Sequence, residues 1–176
     1  SYHLNFTATT PTYLTNSYAS AISARIADGL RFNSGEFVVL GPFRFYSFYK
    51  QLDAPYTASI VKKGDWWIDY FFRGAEAANS TTFITNEYGN VTVSQQSDSV
   101  FANGSGAAIE VVSKTGDWTF SGKNKVFFAN GANSTSTVDK VAGDWTISNP
   151  VNIASGTDST ATILNRSGNF TINGAV

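Results

Sequence analysis

The sequence predicts an all-β chain: a parallel β-solenoid, a three-sided β-helix with coils of about 25–27 residues, preceded by a short N-terminal strand and a capping helix. Three observations carry this. Gly-Asp-Trp recurs at Gly64-Asp65-Trp66, Gly116-Asp117-Trp118 and Gly143-Asp144-Trp145, with looser copies at Gly35-Glu36-Phe37, Gly89-Asn90-Val91 and Gly168-Asn169-Phe170. The intervals between successive glycines are 29, 25, 27, 27 and 25 residues, and a period of this size marks one supersecondary unit stacked on copies of itself. Within each copy the residues after the glycine alternate acidic or amide, apolar, mostly Thr, apolar, as in a half-buried strand.

Residues 1–34 do not repeat and form a first region; 35–176 form the solenoid. At the start, Tyr2, Leu4, Phe6 and Ala8 alternate with polar residues, which reads as an amphipathic strand. It can lie on the chain's own body or add to a neighbouring subunit, where backbone pairing supplies affinity. Asn16 or Ser17 can cap a helix running to about Asp28, with Gly29 as its stop and Tyr18, Ile22, Ile26 and Leu30 as its apolar stripe. Such a helix would plug the first coil.

In the repeat, the Trp66, Trp118, Trp145, Phe170 column and the Ile68, Phe120, Ile147, Ile172 column are expected to face inward, and the Asp and Thr columns outward. A second block, Phe71-Phe72-Arg73-Gly74, Phe101-Ala102-Asn103-Gly104, Phe128-Ala129-Asn130-Gly131 and Ile153-Ala154-Ser155-Gly156, supplies another strand and a corner, with Gly and Asn suited to positive φ. A third block around Ile60, Ile84, Val111, Val138 and Ile163 completes the coil. Pro150 falls at a corner, where it is tolerated. The rival architecture, a β-sandwich or jelly roll, leaves the register of these columns unexplained. At the far end Phe170 and Ile172 open a new coil with no polar cap after it. The chain is then either a piece of a longer protein or covered there by another subunit.

Composition limits the function. A net charge of −1 with 14% charged residues offers no basic field for nucleic acid. Cysteine is absent and His3 is the single histidine, which removes disulfides, thiolate chemistry and histidine-based triads. No apolar run approaches the roughly 18 residues that cross a bilayer, so membrane insertion is not expected. The richness in Asn, Ser, Thr and Gly fits a secreted or cell-surface β protein. Sequons at Asn5, Asn79, Asn90, Asn103, Asn133, Asn165 and Asn169 are glycosylation candidates.

The outward Asp/Asn column could hold calcium, but Lys62, Lys114 and Arg166, each two residues before a glycine, are expected to neutralise it, and ordinary turn chemistry explains it; no cofactor is expected. Trp67 occupies a Thr column and should face out. With Phe43, Phe45, Tyr46 and Tyr49 it is the candidate ligand-contact surface, to a partner subunit or to surface glycans. The carboxylates Asp65, Asp69, Glu76, Asp98 and Glu110 fall at no spacing that singles out a catalytic pair, so an enzyme is not expected.

The frame Gly-Asp-Trp-Thr-Ile/Phe-Ser/Asn, followed by Phe/Ile-Ala-Asn/Ser-Gly, resembles the parallel β-helix repeats of bacterial autotransporter passengers and surface adhesins, a style shared by phage tail spikes. It covers roughly residues 35–176 and carries over no functional residue. It implies an extracellular, elongated, assembly-prone protein. The expected function is structural: a subunit that self-assembles into a fibre or layer through Tyr2, Leu4, Phe6, Ala8, Phe170 and Ile172, as a homo-oligomer or polymer. The alternative is a glycan-binding adhesin or tail-spike-like receptor-binding protein.

Overall fold

A computed structural model of the 176-residue chain describes residues 4–6, 12–15, 25–26, 30–32, 34–40, 42–50 and 55–176. The described backbone is a right-through parallel β-solenoid with three faces, every named strand pair being parallel. The tryptophan face stacks Phe43–Lys50, Trp66–Phe72, Val91–Gln95, Trp118–Gly122, Trp145–Ile147 and Phe170–Ile172. The lysine face stacks Gly35–Leu40, Thr57–Lys63, Thr81–Tyr88, Ala108–Ser113, Thr135–Lys140 and Thr160–Asn165. A short face carries Ser99–Phe101, Val126–Phe128 and Val151–Ile153. Among the described residues no helix is long and apolar enough to cross a membrane.

Stacking like on like fills the interior. Trp66, Trp118 and Trp145 are buried, and Trp118 lies on Trp145 with ring centroids 4.5 Å apart and planes 14° from parallel. Phe170 follows at 5.6 Å from Trp145, and Phe101 stacks on Phe128 at 4.7 Å on the short face. On the lysine face Phe37, Ile60, Ile84, Val111, Val138 and Ile163 run in one ladder. Coils this close, about 4.8 Å per step, leave no room at certain corners. A Cβ on Gly143 would stand 2.1 Å from the Gly116 carbonyl oxygen, and its φ is 89°. Both facts require glycine there.

Four sequence expectations need correction. First, Gly35-Glu36-Phe37 is not a copy of Gly-Asp-Trp. It lies on the lysine face, where Phe37 pairs with Ile60, and the residue that pairs with Trp66 is Phe43. The true steps, from Phe43 through Trp66, Val91, Trp118 and Trp145 to Phe170, are 23, 25, 27, 27 and 25 residues. Second, the Phe71-Phe72-Arg73-Gly74 block sits three residues out of line, because Arg73 bridges Val100 rather than falling beside Asn103. Third, positive φ at the second corner falls on Ala102, Ala129 and Ala154, not on the Asn or Gly that follow. Gly104, Gly131 and Gly156 are glycine because a Cβ would strike a carbonyl oxygen of the coil below, at 2.4, 2.3 and 2.2 Å. Fourth, no capping helix appears among the described residues. Arg25–Ile26, near its expected end, is a strand paired with Arg44 and Phe45, while 16–24 and 27–29 lie outside the described residues. Ile26 and Leu30, two members of the expected stripe, thus lie in strands, because their i, i+4 spacing cannot separate helix from strand once a ladder edge offers backbone partners.

The strands before residue 35 join the same sheets as the repeat. Thr12–Thr15 pairs with Phe37–Leu40, and Leu30–Phe32 pairs with Phe48–Lys50.

Candidate functional site

The outer rim of the Gly-Asp turn is a hydrogen-bonded ladder. Asp65 Oδ1 accepts the backbone N–H of Asn90 at 2.7 Å, Asn90 Oδ1 that of Asp117 at 2.9 Å, Asp117 Oδ1 that of Asp144 at 2.8 Å and Asp144 Oδ1 that of Asn169 at 2.8 Å. Each Asx side chain thus binds the same residue of the next coil. This accounts for Asp or Asn at that position, and no group of three His, Cys, Asp or Glu able to hold a metal occurs among the described residues.

The expected neutralising cations do something else. Lys114 pairs with Glu87 at 2.7 Å and Arg166 with Asp139 at 2.6 Å, each one coil back and off the Asx ladder; the Arg166 guanidinium holds the Asp139 carboxyl below its usual range. Lys62 points inward and is fully buried. Its Nζ donates to Asn86 Oδ1 at 2.8 Å and to the carbonyls of Gly89 and Tyr88 at 3.1 and 3.2 Å. Burial pushes its pKa down to about 7, with Asp65 opposing. Along the ladder stand Asn86, Ser113, Lys140 and Asn165. Lys140 Nζ donates to the carbonyls of Gly143 and Ser167, and Asn165 Nδ2 to that of Gly168 at 3.0 Å. This internal polar column satisfies carbonyls that the tight glycine turn turns inward. Its signal was present in the alternation: Ala58, Ile60, Lys62 and Ser136, Val138, Lys140 are same-side positions.

Two surfaces remain as candidate sites. One is the open C-terminal end. Phe170 and Ile172 pair with Trp145 and Ile147 on one edge, and no described strand covers the other. Both are half-buried and packed on the core, with Leu164 44% and Ile153 42% exposed nearby. At the opposite end Leu4 and Phe6 pair with Leu30 and Phe32 of the same chain, so that strand lies on its own body, at the edge of the tryptophan face. Tyr2 and Ala8 lie outside the described residues.

The other is the outer side of the tryptophan face. Trp67 is half-exposed in the outward column Arg44, Trp67, Thr92, Thr119, Thr146, Thr171. Tyr46 stacks on Tyr70 at 4.7 Å. Phe43 instead belongs to the inward Trp column and packs on the core. Phe45 pairs with Ile68 and Tyr49 with Arg31 in the ladder. Sequence reasoning missed Tyr70 and the Arg44–Asp69 ion pair beside it, 3.1 Å between Nη2 and Oδ1. The pairing of Arg44 with Trp67 exists only once Phe43, not Phe37, is set against Trp66.

The sequons divide by place. Asn79 and Asn133 are exposed at corners with φ of 57° and 54°; Asn90 and Asn169 are exposed members of the Asx ladder. Asn165 is exposed, Asn103 is half-buried and accepts from Asn130 at 2.8 Å, and Asn5 lies in the Leu4–Phe6 strand. Compared with family models, with curated proteins and with solved structures, the chain matches none.

Proposed function

We propose that this is an extracellular structural protein, a β-solenoid subunit that stacks end to end into a surface fibre or layer. The observation that carries it is the unbroken parallel register of both long faces, in which each coil is the template for the next. The strands Thr160–Asn165 and Phe170–Ile172 present an edge with half-exposed apolar ladders, and at the other end Leu4–Phe6 and Thr12–Thr15 are the edge strands of the same two faces. A copy stacked head to tail would extend both sheets in parallel. End-coil stacking and N-terminal strand addition are then one contact. Such a contact joins two different surfaces and does not close on itself, so it generates filaments. The composition, poor in Lys and Glu and rich in Asn, Ser and Thr, supports the extracellular placement, and no catalytic residue is assigned.

Negative-stain electron microscopy of the purified chain, with and without residues 1–9, tests this. Filaments or sheets are expected from the full chain and none from the truncated one, and Ile172→Lys at the end coil should also stop growth. Discrete particles from the full chain at high concentration would sink the proposal. The second reading, a glycan-binding adhesin, is favoured by one observation, the half-exposed Trp67 in a column of small hydroxyl residues.

A further inference from the structure

We infer that the outer side of the tryptophan face, around Trp67 and Tyr70, is a binding platform for a neutral oligosaccharide chain. It gives the glycan-binding reading a site and a ligand class, and it stands or falls independently of filament growth.

From Thr92 onward the outward positions of this face are small: Thr92, Ser94, Thr119, Ser121 and Thr146. The first two coils differ sharply. Trp67, Tyr70 and Phe71 are half-buried aromatic side chains on the second coil of this face, with the Tyr70 and Phe71 ring centroids 5.3 Å apart. Tyr46 lies on Tyr70 with planes 12° from parallel, and the Arg73 guanidinium sits 4.0 Å from the Phe71 ring centre. Leaving aromatic area in water forgoes about 25 cal/mol per Å². Aromatics concentrated on one step of an otherwise hydroxyl-rich face therefore point to a use there.

On the same pair of strands, where Arg44 is the ladder partner of Trp67, Arg44 grips Asp69 through Nε at 3.2 Å and Nη2 at 3.1 Å. The carboxylate side chain is 12% exposed and the guanidinium side chain 42%. The pair is net neutral, and it fixes hydrogen-bonding groups beside half-buried rings. Pyranose rings match this: their C–H faces lie on aromatic faces while their hydroxyls reach fixed polar groups. The platform follows a sheet rather than closing into a pocket, which suits several residues of an extended chain.

Fluorescence reads this site selectively, because Trp66, Trp118 and Trp145 are buried and Trp67 is the half-exposed tryptophan. The protein is titrated with cellohexaose, maltohexaose, chitohexaose and hexagalacturonate. At least one neutral hexamer is expected to shift the emission and saturate, with Tyr70→Ala weakening the affinity about tenfold. For Trp67→Ala, binding followed by calorimetry should be lost. Trp67→Tyr, which keeps a ring in place should the alanine variant not fold, should bind several-fold more weakly. Three results would overturn the inference: no neutral hexamer binds; hexagalacturonate alone binds; or the Trp67 variants bind normally. A patch that merely seats another copy would show itself by changed sedimentation in Trp67→Ala with no sugar response in the parent.

Discussion

Glycine and alanine exchange their usual roles at the corners of this molecule. Gly143 combines a φ of 89° with a Cβ direction blocked by the Gly116 carbonyl. Gly143→Ala should therefore cost at least about 2 kcal/mol in chemical denaturation. Ala154 holds a φ of 50° on the exposed side of its corner. A left-handed alanine costs roughly 1–2 kcal/mol relative to glycine's freedom, offset by glycine's greater unfolded-state entropy. Ala154→Gly should leave stability unchanged or raise it by about 0.5 kcal/mol, a result opposite in sign to that at Gly143. Lys62 gives a pH signature. Its pKa falls from 10.5 to about 7 on folding, so between those values the unfolded chain binds more protons and stability rises with pH. Below about 7 both states hold the proton and the penalty of the buried ammonium is constant. Urea melts at pH 6 and pH 9 should show the parent gaining stability relative to Lys62→Met; equal gains in both would remove Lys62 as the cause.

At the scale of the element, the inward Trp column and the Asx rim hold successive turns together from inside and outside. Trp118→Ala empties a fully buried position stacked on Trp145 and should cost about 3–5 kcal/mol by denaturant melting. Asp117→Ala removes the acceptor for the Asp144 N–H and should cost about 1 kcal/mol. Asp117→Asn keeps that oxygen, as Asn90 does in the same column, and relieves carboxylate stacking against Asp144. It should be neutral or stabilising, most clearly at low salt. These columns were legible in the sequence from Trp66 onward because ladder stacking repeats residue type as well as spacing. The first coil was not. Its Trp-column member, Phe43, lacks the Gly-Asp that precedes Trp66, and Gly35-Glu36-Phe37 offered a false copy one face away. The aromatic platform was half legible for the same reason: Trp67 was visible as an exception, but its neighbours Arg44, Asp69 and Tyr70 depend on that register.

Across the whole molecule, stability is close to a sum of coils and their interfaces. Gly106 and Asn133 occupy equivalent corner positions, each receiving its hydrogen-bond partner from the coil above. Excising residues 107–133 should therefore leave a shorter solenoid with unchanged β circular dichroism and a lower midpoint of unfolding; a molten or aggregated product would mean that the coils are not interchangeable. The direction of the ladder bonds has a mechanical consequence. They run along the long axis, so a pull on the two chain ends loads the coils in series, one interface at a time. Each released coil of 25 or 27 residues lengthens the tether by roughly 80–95 Å. A single chain held by its two ends would yield to tension in steps of nearly this length and re-form as it slackens, whereas a fibre of stacked chains would part first at its junctions, which no covalent bond crosses.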